Sequence, residues 1–459
     1  MTLRIIDGGR NGGSAPGLLI TGASQVATLA GGLRRGRSQG EVGLLEASGS
    51  GGAGSASAPV VATWEGQIVA VGPRREVEAS LERSGYQLSR FARLDARGGL
   101  ITPGLIDAHT HLLFAGSREN ELLLRQQGAG YLEILAAGGG ILSTVAATRV
   151  ASVEELSAHG RAWLDEMLGH GATTVEAKSG YGLDLATERR LLEVAFEIGR
   201  EGPVDVVPTY LGAHAVPAEF RSRPDGTEAY VRTVIETQLP AIAALGIARF
   251  CDVFCEQGVF TADQSRRVLA AALDFGLGVR LHADELAPSG GAELAAELGA
   301  FSADHLTAPS EGGLAALASA AAASAGDGGA RPVVAVLLPA TTWFLMSEHW
   351  APARTMIDLE IPVALATDFN PGTSPTPSLP LVMTIACLNL TMTPAEALAA
   401  VTVNAAWALG LEDSIGSIEP GKQADLVVWR VPSVNQLPYW PGGDLVRTVV
   451  KRGRVVLSR

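Results

Sequence analysis

Two of the chain's eight histidines stand two apart, in His109-Thr-His111. In an extended strand such residues point to the same side, so both imidazoles can reach one point. His282 is followed three residues later by a carboxylic acid, in Arg280-Leu-His-Ala-Asp-Glu285. His305 closes Ala303-Asp-His305, and Asp368 closes Ala364-Leu-Ala-Thr-Asp368. Imidazole nitrogens with a carboxylate oxygen suit zinc, ferrous iron or a neighbour in that series. A metal so held makes water a nucleophile near neutral pH. Glu285 is spaced to move protons beside it. Taken singly these signals are weak, because a histidine at a strand end is more often a hydrogen-bonded surface group. Their joint fall at strand ends, in chain order, singles them out. His159, His170 and His349 lie in helical or loop context and read as structural.

Three further features invite a ligand reading. Arg118, seven residues after His111, offers the planar fork that suits a carboxylate, although alone it reads equally well as a solvated loop charge. Gly138-Gly-Gly140 could cradle an anion, but a tight turn explains it as simply. Gly421-Lys422 lacks the spaced glycines of a phosphate loop.

The elements that must position these residues are legible as periodicity. Short apolar runs at 103–109, 172–177, 204–210, 250–255, 278–283, 301–305, 333–338 and 362–367 alternate with amphipathic stretches. In one stretch Leu191, Val194, Ala195 and Ile198 recur at helical spacing. Ser152 to Glu155, Thr261 to Gln264 and Thr393 to Glu396 read as capping boxes, the last with Pro394 at the first helical position. Strand and helix alternating eight times predicts an α/β fold, a (β/α)8 TIM barrel, over 101–410. The flanks return to β character. Glu65-Gly66 marks a hairpin turn within Pro59–Gly72, and 424–429, 447–451 and 454–457 read as strands, the last two hinged at Gly453. Residues 1–100 and 411–459 are therefore expected to build one small β-sandwich. Residues 31–58, rich in Gly, Ser and Arg, read as a flexible insertion, and 315–330, almost all Ala, Ser and Gly, as an extended helix and its loop.

Composition narrows the partners. An apolar share of 47% can fill a large aliphatic core. Thirty-five bases against 48 acids leave a net charge of −13, which argues against nucleic acid or an anionic membrane. An anionic substrate would need a local Arg or Lys to overcome that field. Cys251, Cys255 and Cys387 form neither a disulfide framework nor a CxxC metal site. The apolar run 333–346 is broken by Pro339, Thr341 and Thr342 and is too short to span a bilayer, and the first residues carry no signal core. A cytoplasmic location is expected.

Pro103-Gly-Leu-Ile-Asp-Ala-His-Thr-His111, His282-Ala-Asp-Glu285, Asp304-His305, Ala366-Thr-Asp368 and the closing 416–427 resemble the metal-dependent amidohydrolase superfamily. Phe114-Ala-Gly-Ser-Arg-Glu-Asn-Glu121, 136–141, Glu176-Ala-Lys-Ser-Gly-Tyr-Gly182, Tyr210-Leu-Gly-Ala-His-Ala-Val-Pro217 and Thr367-Asp-Phe-Asn-Pro-Gly-Thr373 resemble its imidazolonepropionase family. The resemblance covers about 95–459. It implies hydrolytic opening of 4-imidazolone-5-propanoate to N-formimidoyl-L-glutamate in histidine degradation. It implies one divalent ion per chain, zinc or iron, on His109, His111, His282 and Asp368. Catalysis would fall to Glu285, His305 and Asp368, and substrate binding to Arg118, Tyr181, His214, Glu285, Asn370, Gly372 and Thr373. It also implies a homodimer. Relatives with two metals bridge them with a lysine ending strand four. That position here reads Cys251-Asp-Val-Phe-Cys-Glu256, and Lys178 is expected in the loop past strand two. Two rivals stand beside this reading: a deaminase of a cyclic amidine such as cytosine or guanine, which would have no use for Arg118, and a metal-free barrel scaffold, against which the intact ligand set weighs.

Overall fold

The computed structural model describes residues 15–46, 55–128, 139–324 and 331–459. Eight parallel strands, Leu105–Asp107, Ala172–Lys178, Asp205–Ala213, Phe250–Cys255, Gly278–Ala283, Ser302–His305, Val334–Leu337 and Val363–Leu365, pair in chain order. A parallel bridge between Thr110 and Phe369, just past the first and eighth strands, joins the two ends of the sheet. His111 N–H donates to Phe369 O (2.8 Å) and Asp368 N–H to His109 O (3.0 Å), so the seam lies among candidate site residues. All eight predicted strands are present, and six of them are buried at every position. Such burial on both faces requires helices outside the ring. The Leu185–Glu201 helix lays Leu191, Val194, Ala195 and Ile198 against the barrel and is capped by Asp184. The boxes at Ser152, Thr261 and Thr393 all form, each side chain accepting from the backbone N–H three residues on.

Two further sheets flank the barrel. One has four strands: Gln67–Pro73, Pro59–Trp64, Gly17–Thr21 and Phe91–Asp95. The other has six, in the order Arg454–Ser458, Val446–Lys451, Leu426–Trp429, Leu100–Pro103, Gln25–Ala27 and Leu44–Glu46, and so mixes both flanks of the sequence. Leu18, Ile20, Val61 and Ile68 from the first sheet pack with Val26, Ile101, Leu426, Val428 and Val450 from the second. The hairpins turn as expected, at Glu65-Gly66 and Arg452-Gly453, with all four residues at positive φ.

Residues 31–46, within the 31–58 stretch read as a flexible insertion, differ from what their composition suggests. Gly36–Gly40 forms a 3₁₀ turn and Leu44–Glu46 a strand. Gln39 is fully buried and donates to Val363 O (2.9 Å), and Asn404 accepts from Arg34 N–H (2.9 Å). These partners of Gln39 and Arg34 lie over 300 residues away, so local composition could not reveal them. Residues 47–54 lie outside the described residues, as do 1–14. The Ala-rich stretch is helical over Glu311–Ala323, and 325–330 lie outside the described residues.

Candidate active site

The site assembles at the C-terminal ends of the barrel strands, where catalytic groups of this fold gather. His109 is fully buried. Its Nδ1–H donates to Asp304 Oδ2 (2.6 Å), which leaves Nε2 as the free lone pair. His282 makes the equivalent contact with Asp252 Oδ1 (3.1 Å). Its Nε2 lies 3.4 Å from His111 Nε2. Asp368 Oδ1 lies 3.4 Å from both His109 Nε2 and His111 Nε2, while its Oδ2 accepts from Thr341 Oγ1–H (2.6 Å). His109 Nε2 and Asp368 Oδ1 are buried without a hydrogen-bond partner. Unsatisfied acceptors are costly to bury, and acceptors converging from histidine and carboxylate on one point suit a divalent metal. Ligand atoms of His109, His111 and His282 fall within 4.8 Å of one another, as do those of His109, His305 and Asp368.

Charge states follow from burial. Burial, with Lys178 and the other imidazoles, holds His109 well below the ordinary histidine range, and burial, with His282 and Lys178, does the same to His111. Burial would depress His282 too, but the Asp252 charge and hydrogen bond outweigh it and raise that imidazole. Burial drives His305 down to about 3. Burial and the Asp368 charge push Glu285 up to about 8. Glu285 Oε2 stands 3.6 Å from His305 Nε2. His305 and Asp368 both adopt left-handed backbone, at φ 75° and 51°. Non-glycine residues pay about 1–3 kcal/mol for that conformation, so the surroundings must hold them there.

Behind the histidines lies a polar layer that spacing alone did not identify. Lys178 ends the second strand, not the following loop, and its buried Nζ donates to Glu176 (2.8 Å) and Asp252 (2.7 Å). Arg280 Nη2 donates to Asp304 Oδ2 (3.1 Å) and Ala108 O (2.7 Å). The carboxylates that orient His109 and His282 are thus themselves anchored by cations. The available signal was the presence of charged residues inside strands that are otherwise apolar.

A chamber of about 50 Å³ opens beside this centre, lined by His111, Arg118, Tyr181, His214, His282, Glu285, His305, Asp368, Asn370 and Thr373. The structure thus brings together nearly every predicted site residue. His109 is not part of the lining but its Nε2 lies 3.4 Å from Asp368, and Gly372 packs on Arg118, where an added Cβ would fall 2.1 Å from the guanidinium carbon. Arg118 Nε and Nη2 donate to the two oxygens of Glu121, both at 2.9 Å, so that edge of the fork is engaged within the protein. His214 stacks on His111, ring centroids 4.8 Å apart, and its Nδ1–H donates to Gly180 O. Asn370 spends its side chain on its own loop: Oδ1 accepts from Gly372 and Thr373 N–H, both at 2.8 Å. Glu188, unforeseen, accepts from the N–H groups of Gly180, Gly182 and Leu183 and so holds the loop bearing Tyr181. Gly140 N–H donates to Glu121 (2.7 Å) at the start of the Ile141–Val150 helix. Gly138 lies outside the described residues. Of the histidines read as structural, His159 accepts from Trp163 Nε1–H (3.0 Å) and His170 caps a helix.

The amidohydrolase family model matches residues 100–456. The chain belongs to the amidohydrolase family. Among its amidohydrolase relatives is an imidazolonepropionase of Geobacillus kaustophilus, 51% identical over 88% of this chain and 95% of that one. Another, from Alkaliphilus metalliredigens, is 46% identical over 96% and 98%. A third, from Symbiobacterium thermophilum, is 48% identical over 96% and 97%. Solved amidohydrolase-like structures share the fold at low identity. An adenosine deaminase from Xanthomonas campestris with bound zinc matches with a TM-score of 0.64 at 22% identity, covering 96% of this chain and 93% of that one. Guanine deaminase of E. coli matches with a TM-score of 0.67 at 15% identity, covering 96% and 99%. Among the described residues no helix is long and apolar enough to cross a membrane.

Proposed function

We propose that this amidohydrolase opens the ring of 4-imidazolone-5-propanoate by adding water across its cyclic amide C–N bond, giving N-formimidoyl-L-glutamate in histidine degradation. The observation that carries this reading is one chamber lined together by a histidine–carboxylate centre, Glu285 and Arg118. Extensive identity to imidazolonepropionases supports the choice of substrate.

His109, His111, His282 and Asp368 would hold one divalent ion, zinc or iron, which when bound polarises the carbonyl and acidifies water. Glu285 takes the proton of the attacking water on Oε2 and delivers it to the ring nitrogen as the C–N bond breaks. Burial and the Asp368 charge displace its pKa upward, which favours the protonated form that hands the proton on to the ring nitrogen. His305, kept neutral by burial, hydrogen-bonds the oxyanion forming on the carbonyl. Arg118, oriented by Glu121, binds the propionate. Tyr181, His214, Asn370, Gly372 and Thr373 shape the rest of the pocket. A homodimer, a cytoplasmic setting and no role for nucleic acid belong to the same reading. The net charge of −13 supports the last, and unpaired cysteines fit a reducing compartment.

Turnover of freshly prepared imidazolonepropionate by metal-analysed protein tests the proposal. Ring opening without ammonia release is expected. Ammonia from a cyclic amidine would favour a deaminase, and a chain that neither binds metal nor turns over either substrate would favour a scaffold.

A further inference from the structure

Arg125 stands one helical turn beyond Glu121, on the Asn120–Gln126 helix that follows Arg118. It is 8% exposed. Its Nη2 donates to Gly372 O (3.0 Å), and its guanidinium lies 5.3 Å from the centre of the Phe344 ring. Among the described residues, Nε and Nη1 are buried with no hydrogen-bond partner. Glu121, the nearest candidate counter-ion in sequence, is spent elsewhere: both oxygens accept from Arg118 and one also from Gly140. A guanidinium remains charged even when buried; the Glu121 charge offsets part of the cost of that burial, although both its oxygens bond elsewhere. The positive charge of Arg125 is near enough to Arg118 to be felt there.

Gly372 connects Arg125 to the chamber. Arg118 packs so closely on this glycine that any Cβ would overlap its guanidinium, while Arg125 grips the glycine's carbonyl. Two arginines therefore flank one residue, and only Arg118 faces the chamber. We propose that Arg118, Glu121, Gly372 and Arg125 form one carboxylate-recognising unit, in which Arg125 is the specificity-determining positioning residue. It fixes the Gly372 backbone against Arg118 and adds a positive field behind the site where a short acidic side chain of a small heterocycle docks. This rests on the reading that the substrate carries a carboxylate, and it assigns Arg125 a role in selecting that charge.

The test is calorimetric binding of two inert ligands to metal-loaded protein: imidazole-4-propanoate and 4-propylimidazole, which share a ring and differ in charge. Wild type should prefer the acid. Arg125→Met should weaken the acid roughly tenfold, through the lost positive field and the loosened Gly372 backbone behind Arg118, and change the uncharged ligand less than about threefold. Arg125→Lys should recover part of the preference, since charge survives without the fork. Retained binding of 4-propylimidazole shows that the variant is folded. If Arg125→Met weakens both ligands alike, or neither, Arg125 is a packing residue and the proposal falls while the carboxylate reading stands. If wild type itself does not distinguish the ligands, both fall together.

Discussion

Asp304 Oδ2 lies 2.6 Å from His109 Nδ1 while also accepting from Arg280, so one carboxylate oxygen couples a candidate metal ligand to a buried cation. The carboxylate fixes which imidazole nitrogen carries the proton and makes the other a better donor to a metal. Asp304→Asn should therefore weaken metal retention by about 10–100-fold with little change in fold. Competition against a chelator of known affinity measures it. Unchanged retention would mean that the contact only packs the barrel.

Glu285→Gln keeps shape and loses the proton acceptor. Metal content should stay near normal while kcat falls roughly 10²–10⁴-fold. Parallel metal analysis and steady-state kinetics separate these effects. Activity within a few-fold of wild type would transfer the proton role to His305, 3.6 Å away.

Metal stoichiometry should approach one per chain. Lys178, the lysine nearest the histidines in the fold, is held by Glu176 and Asp252 and is not free to bridge two ions. Stripping the ion should lower the melting temperature, and titrating it back should restore the value in a concentration-dependent way. Elemental analysis near two tightly bound ions would overturn the single-ion reading.

The barrel, and the histidines and carboxylates it gathers at one end, were legible because each signal was local. The eight strands are short apolar runs, and three helices announced their starts through Ser152, Thr261 and Thr393. The polar layer was not, because its meaning lies across strands: Asp252 is in register with Arg280, and His282 with Asp304. Until that pairing is known, charges in apolar strands read only as interruptions. The left-handed backbone at His305 and Asp368 left no trace in residue type. Arg118 was found, but its bidentate partner Glu121 was read only as part of a motif.

Residues 31–46 misled for the same reason, and the correction can be tested. Gln39 donates to Val363 O and accepts from Asn404 Nδ2 (3.1 Å) inside the packed fold. Gln39→Ala should destabilise the protein by about 1–3 kcal/mol through unmade buried hydrogen bonds. A lower apparent midpoint in denaturant, with kinetics of the surviving enzyme unaltered, is the expected result. A truly flexible insertion would tolerate the change.

The six-stranded sheet sets Leu100–Pro103 directly against Leu426–Trp429, with Pro103 opposite Leu426. Roughly 320 residues separate those partners, so at ~5–20 residues per second a ribosome needs about 15–65 s between making one and the other. Throughout that interval the early strand has no mate on that side, and its edge is open to a neighbouring nascent chain. A strand synthesised late thus seals one synthesised early, and losses in recombinant yield should track how quickly Leu426–Trp429 follows the barrel.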